Sequence, residues 1–351
     1  MGSSFSDSVT PKLVETDRLI TNTLVSGDPD GTPVCLIHGN ATTSRFWAEL
    51  MADIPDKYRV VAPDLRGFGD SETKPVDATD GVRDFTEDLA ALFDEIGLET
   101  VGLVGWSIGG GIAMQYAIDY TEAVSELVLV STMSPYGFCG TTLDGAPSQP
   151  DYAGTGGGMA DDEFVERLAE GDTTAESDVS PRSVLKEYYV GKEYEFDPET
   201  ADAYVEAMCT TAVGDQNYPG DKEPSENWPH VAPGENGVLN AISPKYFDTS
   251  DLPAIEPKPP VLWVRGDADQ IVSDTSVFDT GFLGQVDVIP DWPGEEAYPP
   301  QPMNSQIRDI LRAYAASGGT YTEETFTDVG HSPHIERPEK FRSLLVDFLN
   351  T

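Results

Sequence analysis

The feature that most constrains this chain is an alternation of short apolar runs with helical stretches. Runs at 34–37, 58–63 and 101–105 are separated by helical stretches at about 44–54 and 81–96. A helix at about 108–120 then leads to a further run at 126–131. In the 81–96 stretch Phe85, Leu89, Leu92 and Phe93 fall on one helical face. Strands that read as nearly continuous apolar residues belong to parallel sheets covered on both faces, because βαβ crossovers place helices there. Residues 13–28 read instead as two short antiparallel strands around Asp17.

After Thr132 the alternation stops. Residues 133–257 are rich in Gly, Pro, Asp and Ser, with short amphipathic pieces at 162–169, 184–190 and 200–208. The sheet pattern resumes at 260–265, followed by a helix at about 305–316, a strand at 320–329 and a last helix at about 338–349. This predicts one α/β core, residues 1–132 and 258–351, interrupted by a cap insertion, residues 133–257. A structureless loop of that length is improbable, so several short helices are expected in the cap, over the carboxyl ends of the strands.

Charge excludes whole classes of function. The chain carries 62 Asp+Glu against 21 Lys+Arg, a formal net charge of −41. Sequence-independent nucleic-acid binding needs clustered basic residues, and adhesion to an anionic membrane needs the same; neither partner is expected. With 39% hydrophobic residues the chain is no disordered acidic tail. Acids spread over a folded surface at roughly 15 Å repel by about 0.3 kcal/mol per pair in water, and hundreds of such pairs rival a whole folding stability. Molar salt shortens the Debye length to about 3 Å. The composition, with only nine lysines, therefore resembles that of cytoplasmic proteins from salt-accumulating haloarchaea.

Cys35, Cys139 and Cys209 are too scattered for a disulfide framework, and no Cys-x-x-Cys pair suggests zinc. The opening residues show no apolar signal core, and no apolar stretch reaches 18 residues. A cytoplasmic location is expected.

Gly105-Trp106-Ser107-Ile108-Gly109 fits G-x-S-x-G between a predicted strand and a predicted helix. A sharp turn there strains the serine backbone and pushes its Oγ outward. The glycines avoid collisions with the neighbouring helix and strand, and the N–H of Ile108 opens the helix, where an oxyanion is favoured.

With its companions, this motif resembles the α/β-hydrolase superfamily over essentially the whole chain. His38-Gly39-Asn40 stands in the place of the oxyanion loop, and Asp64-Leu65-Arg66-Gly67-Phe68-Gly69-Asp70-Ser71 matches the D-x-x-G-x-G-x-S turn. Gly266-Asp267-Ala268-Asp269 and Gly330-His331 occupy the places of the acid and base loops. The segment from Gly330 to Pro338 is similar to the family's usual sequence around the base. The resemblance implies a mostly parallel eight-stranded sheet with helices on both faces and a large helical or irregular cap after the sixth strand. Neither the cap nor the stretch from Val272 to Gln301 is covered by a family motif.

Ser107 is the expected nucleophile, which needs a base within hydrogen-bond reach. Of the four histidines, His331 directly follows a strand end and is the expected base, with His334 as the fallback. His38 is read as a structural hydrogen-bonder of the oxyanion loop and His230 as a cap residue, structural or at the pocket rim. The third member orients the imidazole. Both Asp267 and Asp269 follow a strand, and the family spacing selects Asp269. Backbone N–H groups of Asn40 and Ile108 are expected to form the oxyanion hole, while Asp64 and Arg66 read as a structural turn.

Haloalkane dehalogenases and epoxide hydrolases of this superfamily place Asp where Ser107 stands, so the resemblance points instead to acyl transfer. The expected reaction is cleavage of small to medium apolar carboxylic esters through an acyl-enzyme, without cofactor or metal. Alternatives in the same fold are a C–C bond hydrolase, a lactonase or aminopeptidase, and a perhydrolase. A different class is a non-catalytic ligand-binding protein. Trp106, Met133, Tyr136, Phe138, Trp228 and Trp292 are the candidates for an apolar substrate pocket, each with plain core packing as its rival reading.

Overall fold

A computed structural model describes residues 6–351, so the first five residues of the opening segment lie outside the described residues. The centre is an eight-stranded sheet. Its strands are β1 (Thr10–Glu15), β2 (Ile20–Gly27), β3 (Thr32–Ile37), β4 (Tyr58–Pro63), β5 (Val101–Trp106), β6 (Val124–Val130), β7 (Val261–Gly266) and β8 (Tyr321–Phe326). They lie side by side in the order β1-β2-β4-β3-β5-β6-β7-β8. Strand β2 pairs antiparallel with both β1 and β4, and every pair from β4 to β8 is parallel. All six residues of β5 are buried, as a strand covered on both faces requires, whereas β1 at the edge is mostly exposed.

Helices α1 (Ala48–Asp53), α2 (Arg83–Glu95) and α3 (Ile108–Asp119) follow β3, β4 and β5. The predicted helix at 44–54 opens as a 3-10 turn over Ser44–Trp47 before α1. In α2 the buried residues include Phe85, Leu89, Leu92 and Phe93, the face predicted from periodicity, and this helix packs against α3.

Between β6 and β7 the chain forms α4 (Asp162–Glu170), α5 (Pro181–Tyr188), α6 (Pro198–Met208) and the single turn α7 (Val238–Ala241). Asp161 caps α4 by accepting from the N–H of Phe164 at 2.9 Å, and Gly171 ends the helix in the left-handed region. The insertion also holds two small strand pairs that periodicity did not reveal, Val213–Gly214 with Tyr218–Pro219 and Lys222–Pro224 with Val231–Pro233. Strands this short leave no alternation to read. Between β7 and β8 the unassigned stretch contains α8 (Thr280–Gln285) and leads into α9 (Met303–Ala316). Helices α10 (Pro333–Glu336) and α11 (Pro338–Phe348) close the chain. Among the described residues no helix is long and apolar enough to cross a membrane.

Parallel pairing decides where the chemistry gathers. Ile37 is in register with Gly105, Trp106 with Val130, and Gly266 with Phe326. The loops leaving β3, β5, β6, β7 and β8 therefore emerge at one edge, the carboxyl edge where open α/β sheets bind ligands. At the same edge, just past β4, Asp64 accepts from the N–H groups of Ser44 and Asp70 and from the Asn22 amide, while Arg66 forks onto Asp88 at 2.7 Å twice. These two residues brace the turn after β4.

Candidate active site

Ser107 sits between β5 and α3 with φ 58° and ψ −119°, a conformation that costs about 1–3 kcal/mol and persists only where the surroundings impose it. Its N–H donates to Val130 O at 2.9 Å, and its carbonyl accepts from the N–H groups of Gly110 and Met133. A Cβ on Gly105 would lie 2.2 Å from Gly109 O, and one on Gly109 would lie 2.4 Å from Ile37 O. Both positions of the motif are thus closed to any larger residue. A Cβ on Gly39 would come within 3.2 Å of the Ser107 Cβ, which places the loop after β3 directly beside the serine. Ile108 is the first residue of α3, so its N–H is among the four that a helix leaves without an internal partner.

The loops after β7 and β8 meet next to this elbow. His331 Nδ1 lies 2.9 Å from Asp269 Oδ2, with both side chains 2% exposed. The other carboxylate oxygen accepts from the N–H groups of Ile271 at 2.8 Å and Val272 at 3.0 Å. Asp269 is therefore held in place while it orients the imidazole. Asp267 does something else: its Oδ1 accepts from the N–H of Asp328 at 2.7 Å and braces the two loops at the surface.

The remaining histidines have separate environments. His334 packs against Trp47 at 4.2 Å and Trp106 at 4.8 Å between ring centroids, and neither ring nitrogen has a hydrogen-bond partner. Burial, with the neighbouring His331, holds its pKa well below the ordinary value, so it stays neutral. His38 approaches Gly39 O through Nδ1 at 2.8 Å and accepts from the Leu65 N–H through Nε2, tying β3 to β4; burial lowers its pKa. His230 lies exposed in a turn of the insertion with φ 73°.

Asn40 is partly buried at the mouth of β3. Its carbonyl accepts from Tyr189 Oη at 2.9 Å, its Oδ1 has no partner, and its carboxamide lies beside the Tyr218 hydroxyl.

The six side chains expected to line one apolar pocket have partners of different kinds. Trp106 is fully buried beneath the elbow, its indole N–H donating to His331 O at 2.8 Å, which ties the elbow to the loop after β8. Met133 packs on Gly111 of α3 and near Phe247. Tyr136 covers Gly145, and Phe138 is partly buried with its N–H on Ile242 O. Trp228 and Trp292 both abut Gly284 of α8 and donate to Pro290 O and Tyr298 O. Trp228 thereby joins the insertion to the 272–301 stretch, to which Trp292 itself belongs. Aromatic content alone does not separate these roles.

Two side chains that sequence reasoning passed over touch the loops directly. Tyr189 of the insertion reaches Asn40, and its carbonyl accepts from Ser332 Oγ at 2.5 Å. Glu336 is buried and accepts from the N–H of Gly330 at 2.8 Å and of Gly191 at 2.9 Å. Its pKa is raised chiefly by burial, with the Asp269 charge adding to it. No residue pattern in the sequence singled out either of them.

Comparison with known proteins agrees with this architecture. Residues 32–169 match the family model for the alpha/beta hydrolase fold. The chain is 37% identical over 105 residues to 2-hydroxymuconate semialdehyde hydrolase from a Pseudomonas species, covering 29% of this chain and 37% of that one. It is 31% identical over 112 residues to a protein named uncharacterized carboxylesterase nap from Bacillus subtilis, covering 32% and 41%. Carboxylesterase CesB from Bacillus subtilis superposes with a TM-score of 0.60 at 18% identity, over 98% of this chain and 93% of that one. The first curated relatives are matched over only 29% to 38% of their own length. The chain has the α/β-hydrolase fold.

Proposed function

We propose that this protein is a serine hydrolase that cleaves carboxylic esters of small to medium apolar substrates through an acyl-enzyme. The reading is carried by one observation: the His331–Asp269 pair, buried and 2.9 Å apart, is bonded through Trp106 to the strand end that presents Ser107. Asp269 holds the Nδ1 side of the imidazole, which leaves Nε2 to take the Ser107 proton as Oγ attacks the carbonyl. The backbone N–H groups of Ile108 and Asn40 receive the oxyanion, and the imidazolium returns its proton to the leaving alkoxide. Water then repeats the sequence on the acyl-enzyme.

The C–C bond hydrolase alternative would need cations in the insertion to hold an acidic diketone. Several of the cations there already face acids: Arg167 pairs with Glu163 and Asp172, Arg182 with Asp202, and Lys186 with Glu195. This favours an uncharged ester. We read the acid excess as adaptation to molar salt inside a salt-accumulating cell, with the cytoplasm as the working compartment.

A panel of p-nitrophenyl esters from acetate to palmitate, assayed in molar KCl beside Ser107→Ala, tests the activity. Loss of turnover by about 10⁴–10⁶ in the variant is expected. Equal rates from both proteins would remove Ser107 as nucleophile.

A further inference from the structure

We propose that Glu336 and the insertion segment 189–191 form a positioning strap through which the seating of the cap sets the geometry of the His331 and Asn40 loops. The inference rests on the serine-hydrolase reading of Ser107 and His331. Three hydrogen bonds reach this segment, two at Tyr189 and one at Gly191. Tyr189 Oη donates to Asn40 O on the oxyanion loop, and Tyr189 O accepts from Ser332 Oγ, one residue beyond His331. Gly191 N–H donates to Glu336 Oε2, while Glu336 Oε1 accepts from Gly330 N–H, one residue before His331. The base is therefore gripped on both sides by bonds that lead to the same stretch of cap.

Packing leaves this stretch no slack. A Cβ on Gly330 would lie 2.5 Å from the carbonyl carbon of Val190 and 2.6 Å from Gly191 N. The Tyr189 ring stands edge-on to Trp106 at 5.8 Å and to His331 at 6.1 Å between centroids. Tyr189 is thus in contact with the elbow, the base loop and the oxyanion loop at once.

The chemistry of Glu336 also fits a strap better than a filler. A buried carboxylate loses several kcal/mol of hydration, and here it lies near a second buried acid, Asp269. An apolar side chain would fill the space without that cost, but it would leave two buried backbone N–H groups unpartnered on the two segments that must stay together. Two oxygens, each serving one segment, satisfy both donors and fix the distance between them.

Tyr189→Phe, Ser332→Ala, Glu336→Gln and the Tyr189→Phe/Glu336→Gln double variant are compared with wild type and Ser107→Ala in molar KCl. Turnover of p-nitrophenyl butyrate, labelling by a fluorophosphonate probe and melting temperature are measured together. A strap predicts that kcat and labelling rate fall in parallel by about tenfold in each single variant, with KM within about twofold. It also predicts that the double variant loses much less than the product of the two single losses, because both bonds act through one element. Unaltered kcat, an effect on KM alone, or losses that multiply would overturn it. If Glu336→Gln does not fold, Tyr189→Phe and Ser332→Ala decide on the same criteria of kcat, KM and labelling. An unlabelled wild type removes the serine-hydrolase reading and the strap with it; a labelled wild type with unaltered variants removes the strap alone.

Discussion

The indole N–H of Trp106 donates to the main-chain carbonyl of His331 at 2.8 Å, joining residues 225 positions apart. Trp106 ends β5 immediately before the elbow, and His331 stands on the loop after β8. This hydrogen bond ties the loop that carries the imidazole to the strand that presents the serine. Trp106→Phe keeps an aromatic ring but leaves that buried carbonyl without its donor and opens a gap beside Trp47 and His334. A stability loss of about 2–4 kcal/mol is expected, with kcat lowered about tenfold or more. Denaturant unfolding and ester turnover check both. A variant with wild-type kcat would show that the bond does not position His331.

The two aspartates of the loop after β7 separate by function. Asp269 contacts the imidazole, whereas the Asp267 carboxylate accepts from the Asp328 N–H. Asp269→Asn is expected to lower kcat by about 10³–10⁴ with the fold intact, and Asp267→Asn by no more than a few-fold. Circular dichroism and ester kinetics on the pair test this. The reverse ranking would reassign the acid.

Asp279 supplies a pH dependence distinct from the catalytic one. It caps α8, accepts from the N–H groups of Phe282 and Gln301, and is wholly buried. Burial raises its pKa from 3.8 to about 6. The native state then holds this proton more tightly than the unfolded chain does. The resulting stabilisation is complete below about pH 3.8 and is lost as the pH rises through about 6. Asp279→Asn is neutral throughout, so its stability relative to wild type is expected to improve by up to about 3 kcal/mol between pH 4 and pH 7. Urea titrations of both proteins across that range measure the difference. A constant gap would mean that Asp279 does not titrate there.

Salt dependence follows from the surface. With 62 acids over 14048 Å², the mean spacing is about 15 Å, and molar KCl screens charges over about 3 Å. The melting temperature is expected to rise by about 10 °C or more between 0.1 and 3 M KCl. A flat profile would rule out repulsion among acids as the factor that limits stability.

Periodicity located nearly every core element, because burial on both faces leaves a run such as 101–105 apolar throughout and burial on one face leaves α2 its stripe. The boundaries moved where local chemistry outweighed pattern. The strand predicted over 320–329 ends at Phe326, since Asp328 and Gly330 are drawn into loop contacts with Asp267 and Glu336. The insertion was legible only as amphipathic fragments, and its small strand pairs were not legible at all.

Ser107 and His331 were nominated by position relative to strand ends, a property written locally in the chain, and Asp269 was chosen over Asp267 by the spacing that the family resemblance implies. Their relation to Tyr189, Glu336 and the Trp106 indole was not written there. Those contacts depend on main-chain carbonyls and N–H groups, which every residue carries and which no residue type advertises. What the amino-acid order determined by itself was the succession of strands, elbows and helices, since propensity and burial pattern act over a few neighbours. Tertiary structure alone decided which distant backbone groups the aromatic rings and buried acids would hold, because parallel pairing brings together loops that lie far apart along the chain.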